Sequence, residues 1–82
     1  AHLLAVLEEG QATIVEIAVP GGFKPRSLME MQSPPKSIVG AIIRGDDVVI
    51  PRGGDQIRPL DRLIVFAAAQ SVGLVRDYFG ST

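Results

Sequence analysis

The sequence predicts an α+β domain, a small mixed β-sheet with helices on one face, and three features predict it. Short apolar runs at Ala12–Val19, Ile38–Ile43, Val48–Ile50 and Leu63–Ala67 have the length of strands. Two stretches near the ends, Leu3–Leu7 and Val72–Phe79, carry apolar residues at helical spacing. Clusters of Gly, Pro and Asp separate them. The expected order is β-α-β-β-β-β-α, preceded by a short lead-in helix.

In chain order, AHLLAVLEEG places Leu3, Leu4 and Leu7 on one stripe and Gly10 where a helix would end. Residues 1–11 are therefore read as a lead-in helix or linker, and 12–80 as the domain. ATIVEIAV alternates, with Thr13, Val15, Ile17 and Val19 on one face and Ile14, Glu16 and Ala18 on the other, the pattern of an outer strand. Pro20–Ser27 is a loop, a short helix is expected from about Ser27 through Met31, and Pro34 and Pro35 end it. The strand Ser37–Arg44 then meets Gly45-Asp46, a two-residue hairpin signal that sets Arg44 opposite Asp47 and Ile43 opposite Val48. A short extended piece at Gln56–Arg58 and the strand Leu63–Ala67 follow. The final helix is expected to start at a capping Ser71 and stop at Gly80.

The run IVGAII is apolar at both parities, so both faces of that strand ask for cover. An 82-residue chain buries only about 60–65% of its unfolded surface, which leaves little material for a second layer. There is no cysteine, so disulfides and thiolate metal sites are excluded as staples. Association with a second copy is the remaining route to stability.

Eight Lys and Arg against nine Asp and Glu give a net charge of −1, which argues against nucleic acid as a partner. No apolar run approaches the ~20 residues that span a bilayer, and the chain is read as soluble. Ala1 in place of Met is consistent with a segment of a longer protein. The sole histidine, His2, lies outside the expected core, so no nucleophile–base constellation is in view and no catalytic residue is assigned. Asp46, Asp47, Asp55 and Asp61 read as turn residues, and neither a calcium loop nor a phosphate-binding glycine motif is present. No metal and no cofactor are expected.

Five of the six arginines lie between Arg26 and Arg62. Arg44 and Arg52 fall at the same end of the hairpin beside Ile42, Ile43, Val49 and Ile50, where cations at the rim of an apolar groove can hold an anionic small molecule. The plainer account is that Arg44 pairs with Asp47, and Arg52 or Arg62 with Asp55 or Asp61, as surface ion pairs worth ~0–1 kcal/mol.

The residues Ala41-Ile42-Ile43-Arg44, Val48-Val49-Ile50-Pro51, Gly54-Asp55 and Asp61-Arg62-Leu63-Ile64-Val65-Phe66 resemble, in order and spacing, the motifs of the TrkA C-terminal (RCK C-terminal) domain family. Glu16–Met31 resembles that family's opening strand, loop and short helix, and the likeness covers about Ala12–Phe79. Leu60 departs from the pattern, since the family usually has glycine there; a different turn or local strain is expected. The resemblance implies a homodimerising regulatory module of potassium or related ion transport systems. It also implies a cytoplasmic setting at the inner face of a membrane, beside a transporter subunit or a Rossmann-type RCK N-terminal domain outside this chain. Some members bind a cyclic dinucleotide in the dimer interface.

Burial and resemblance together place the dimer contact at Ile38, Val39, Ile42, Val48, Val49 and Ile50. The ligand set is Ile42, Ile43, Arg44, Ile50, Pro51 and Arg52. Ile42→Asp is expected to break the dimer. The alternative function is a purely structural dimerisation module without a ligand; an enzyme is not expected.

Overall fold

A computed structural model describes residues 2–80 of the chain; Ala1, the first residue of the expected lead-in, lies outside the described residues. The strands are β1 (His2–Leu7), β2 (Ala12–Ala18), β3 (Arg26–Ser27), β4 (Ser37–Arg44), β5 (Asp47–Val49), β6 (Gln56–Ile57) and β7 (Arg62–Ala68), followed by helix α1 (Val72–Tyr78). Five of them form one sheet in the order β1-β2-β7-β4-β5, and β3 and β6 pair as a separate ribbon. The architecture is α+β, as expected. Every pairing among the described residues is antiparallel, where a mixed sheet was expected: β1–β2 and β4–β5 are hairpins, and β7 lies between β2 and β4 and runs opposite to both.

The lead-in helix is corrected to a strand. His2–Leu7 pairs with β2, and Glu9-Gly10 occupy the centre of a tight turn in which the Gln11 N–H donates to the Glu8 carbonyl at 3.1 Å. Gly10 has φ +90°, so it does mark an end, but the end of a hairpin arm. Six apolar-rich residues are too few to hold a helix alone, whereas β2 offers a ladder.

The short helix after Ser27 is corrected to a single turn. Ser27 and Glu30 bond reciprocally: the Glu30 N–H donates to Ser27 Oγ at 3.2 Å and the Ser27 N–H to Glu30 Oε1 at 3.0 Å, the pattern of a helix start. These bonds from the Ser27 backbone N–H and hydroxyl hold the exposed Glu30 carboxyl below the usual carboxylate range. Ser27 is meanwhile held in the ribbon opposite Gln56, and Pro34 and Pro35 close off any continuation.

The core lies between one face of the sheet and α1. Val15, Ile17, Leu63, Val65 and Ala67 project from β2 and β7, Val39 and Ile42 from β4, and Val75 and Phe79 from the helical end. The ribbon adds Ile57 and the turn adds Met31. β4 meets β7 with a register shift between Val39 and Ala41, so Gly40 is a bulge residue. The bulge switches parity: Val39 faces Val65 before it and Ile42 faces Leu63 after it, both in the core. That switch is why IVGAII is apolar at both parities.

Ser71 precedes α1 but makes no capping bond; its hydroxyl donates instead to the Pro35 carbonyl at 2.7 Å and ties the proline loop to the helix. Beyond the helix, Gly80 takes φ +79° with its N–H on the Asp77 carbonyl, the expected stop.

Candidate binding surface

The opposite face of the sheet has no cover from the described chain. Ile14, Glu16, Ile64 and Ile43 are half-buried there, while Ile38, Phe66 and Val48 are exposed. Register makes these residues neighbours. Phe66 stands opposite both Ile14 and Ile38, Ile64 opposite Glu16 and Ala41, and Ile43 opposite Val48. One ion pair crosses the face, Arg62 Nη1 to Glu16 Oε2 at 2.9 Å. Contiguous exposed apolar area of this kind makes the face the candidate binding surface.

The hairpin has the predicted register, with Arg44 opposite Asp47 and Ile43 opposite Val48, and Gly45 takes φ +61° at the first turn position. It splits the predicted site residues between two faces. Ile43 and Val48 lie on the open face, and Ile38 joins them from across the bulge. Ile42 is 0% exposed and Val39 is buried beside it, so neither reaches a partner or a ligand; their place in the predicted contact is corrected. Val49, opposite Ile42, packs half-buried against the core. Ile50 is 72% exposed, Pro51 is half-buried and Arg52 is exposed, at the foot of the hairpin.

The pairing expected for Arg44 is also corrected. Its guanidinium does not bond Asp47. Nε donates to Asp61 Oδ1 at 2.9 Å and Nη2 to Asp61 Oδ2 at 2.8 Å, a bidentate fork. Nη2 also reaches the Gln56 carbonyl at 2.9 Å, and the Arg58 N–H donates to Asp61 Oδ2 at 2.9 Å. Asp61 is 2% exposed, so this is no surface pair. Burial alone would push its carboxyl up. The Arg44 fork, the Arg58 N–H and the two nearby positive charges outweigh it and hold the group below the usual carboxylate range. The same fork raises Arg44, against a desolvation that acts the other way. The Nη1 edge takes no part in these bonds, and the side chain is 31% exposed.

Arg52 is anchored by its backbone: its N–H donates to Asp55 Oδ2 at 2.7 Å and its carbonyl accepts from the Asp55 N–H at 2.9 Å. Its side chain makes no salt bridge among the described residues. Leu60 has φ +70°, so the turn keeps the left-handed geometry that favours glycine and the side chain bears the strain. A groove of about 510 Å³ lies elsewhere, between Gln32–Pro35 and the Leu74, Asp77 and Tyr78 side of α1, and contains none of the predicted site residues.

Sequence reasoning missed Asp61 as the partner of Arg44, and it gave no role to Ile14, Ile64 and Phe66, whose alternation with the core residues of β2 and β7 was the available signal. Among the described residues no group of three or more His, Cys, Asp or Glu side chains is placed to hold a metal ion.

The fold defines a small α+β module whose antiparallel sheet is covered on one side only by the described residues. The chain belongs to the TrkA-C domain family, whose sequence profile matches residues 13–80. It is similar to the Trk system potassium uptake protein TrkA homolog 2 of Methanosarcina mazei, 37% identical over 78 residues, covering 93% of this chain and 17% of the relative. It is also similar to the Trk system potassium uptake protein TrkA homolog of Archaeoglobus fulgidus, 32% identical over 71 residues, covering 87% of this chain and 16% of the relative. The chain thus spans about a sixth of the length of these curated relatives. A solved RCK domain with cda superposes with a TM-score of 0.72 at 27% identity, covering 79% of this chain and 94% of that one.

Proposed function

We propose that this domain is a regulatory, non-catalytic module of a potassium or related cation transport system, in which two copies pack through the uncovered sheet face. A small anionic ligand such as a cyclic dinucleotide binds at or near that contact. The observation that carries the reading is the open face itself, with Ile38, Val48 and Phe66 exposed and Ile50 beside it at the foot of the hairpin. Family membership, the potassium uptake relatives and the RCK domain with cda support it. The contact comprises Ile38, Ile43, Val48, Ile50 and Phe66. The ligand residues are Ile43, Arg44 through Nη1, Ile50, Pro51 and Arg52.

The module works on the cytoplasmic side of a membrane, with a transporter subunit or an RCK N-terminal domain as its larger partner. No helix of the described residues is long and apolar enough to cross a membrane.

A ligand that binds only the folded state raises the melting temperature. Thermal melts of the wild type and Arg52→Ala against cyclic di-AMP, ATP, ADP, NAD, NADH, calcium and magnesium test the ligand. A rise with one compound that is lost in Arg52→Ala supports the site. No rise with any of them removes the ligand and leaves the second reading, a structural dimerisation module, which the apolar face favours by itself. Sedimentation of wild type against Val48→Asp tests the contact.

A further inference from the structure

The edge strand β1 is joined to the rest of the sheet through β2 alone. None of its described side chains is fully buried: Leu3, Leu4, Val6 and Leu7 are exposed and Ala5 is half-buried. The core cluster draws no residue from it, and it lies outside the 13–80 stretch that matches the family. What fixes β1 is its backbone ladder to β2. A segment with few buried contacts is among the first that a fold releases.

Its connector is strained. Glu8 and Glu9 take φ +49° and +57°, a region where the Cβ of an L-residue crowds the following carbonyl oxygen, and two such residues in succession precede Gly10. Register gives the strain a consequence. Ala5↔Ile14, Val6↔Thr13 and Leu7↔Ala12 share one offset, and the Gln11 N–H to Glu8 carbonyl bond carries that offset up to Glu9-Gly10. If the turn opens, two copies continue the same ladder about a two-fold axis between Glu9 and Gly10. Each β1 then meets the β2 of the other copy in unchanged register, and Glu8 and Glu9 return to extended backbone.

We propose that β1 is an exchangeable arm, which in the dimer pairs with β2 of the second copy. The exchanged ladder has its two-fold axis normal to the sheet, so it joins two copies edge to edge, a contact of its own beside the face contact of the proposed function. The occupant is another copy of this chain because the position along β2 is already matched, residue by residue, to the sequence of β1. Strained short connectors favour such exchange.

The chain has no cysteine, so the double variant Leu7→Cys/Ala12→Cys introduces a single ladder pair. The variant is refolded from denaturant at high concentration and oxidised. It is then run on a denaturing gel without reductant beside a free-thiol count, with Leu7→Cys alone setting the level of random cross-linking. Exchange yields a disulfide-linked dimer well above that level. A disulfide closed within the monomer, or thiols left free, overturns the proposal. Sedimentation of the wild type separates the two claims: a wild-type dimer with an intrachain disulfide in the variant removes only the exchange, while a wild-type monomer removes both. Adding Glu9→Gly relieves the left-handed strain at that position and is expected to shift the disulfide several-fold toward the monomer. An unchanged ratio would overturn strain as the driving cause.

Discussion

Arg44 and Asp61, seventeen residues apart, form a bidentate ion pair at 2.9 and 2.8 Å that closes the hairpin strand β4 onto the turn before β7. The same carboxylate accepts the Arg58 N–H, and the same guanidinium reaches the Gln56 carbonyl. One pair therefore fixes both ends of the Gln56–Asp61 segment. Asp61→Ala leaves a cation without its partner and two donors without acceptors. The expected loss is about 2–3 kcal/mol, below the figure for a wholly buried pair because Arg44 keeps some contact with water. Urea unfolding at pH 7 measures it, and a loss under about 0.5 kcal/mol would show that the pair contributes no more than a surface one.

The pH dependence follows from the direction of the shift. The carboxyl of Asp61 is lower in the folded chain than when unfolded, so its stabilisation is fully present above the unfolded value of about 4. It fades as pH falls through the folded value. Wild-type stability should therefore drop on acidification below about pH 4, and Asp61→Ala should show a shallower drop over the same range. Parallel slopes in the two proteins would contradict the assignment.

Leu60 is an L-residue in a turn that wants glycine. Its φ is +70°, and the backbone is locked there by the Leu60 N–H on the Val19 carbonyl at 3.0 Å and the Val19 N–H on the Asp61 carbonyl at 2.8 Å. Left-handed strain of about 1–2 kcal/mol is offset in Leu60→Gly by about 0.5–1 kcal/mol of extra unfolded-state freedom. A net gain of about 0.5–1 kcal/mol, or roughly 2–8 °C in Tm, is expected from a thermal scan. A lower Tm would mean that the exposed Leu60 side chain contributes packing that outweighs the strain.

Ile42 and Val48 separate folding from association. Ile42 is 0% exposed, so Ile42→Asp buries a charge in the chain's own core and should unfold it, with loss of the sheet signal in circular dichroism. Val48 is 64% exposed on the open face, so Val48→Asp should keep the sheet signal while lowering the sedimenting mass. If Val48→Asp sedimented as the wild type does, the open face near the hairpin would not be the contact.

Local chemistry made part of this structure legible in the sequence. Gly45-Asp46 sets the β4–β5 register because a two-residue turn allows only one, and the alternation of Thr13, Val15, Ile17 and Val19 names the core face of β2 without any tertiary knowledge. The illegible parts are tertiary choices. LLAVL fits a helix or a strand, and the free edge of β2 decides it. Asp47 is the nearest acid to Arg44 across the hairpin, yet the buried Asp61 wins because two main-chain groups share the site. Of the candidate surface, the exposed positions of Val48 and Ile50 were legible, but Val39, Ile42 and the Val49 that faces Ile42 were assigned to it because the Gly40 bulge, which sets that inward face, leaves only a glycine in the sequence.

The bulge residue Gly40 lies beneath the Phe66 ring. A Cβ at Gly40 would lie 2.6 Å from Phe66 Cε1 and 2.9 Å from Cδ1, so the ring rests directly on the glycine backbone. Phe66 is exposed on its outer side, so in Gly40→Ala the ring swings toward solvent and the core beneath stays packed. The expected cost is about 1–2 kcal/mol. Phe66→Ala removes the obstacle, so adding Gly40→Ala to it should cost little, and the double-mutant cycle should show a coupling of about 1 kcal/mol. Additive losses, with coupling under about 0.3 kcal/mol, would mean that the methyl is accommodated by movement of β4 and not of the ring.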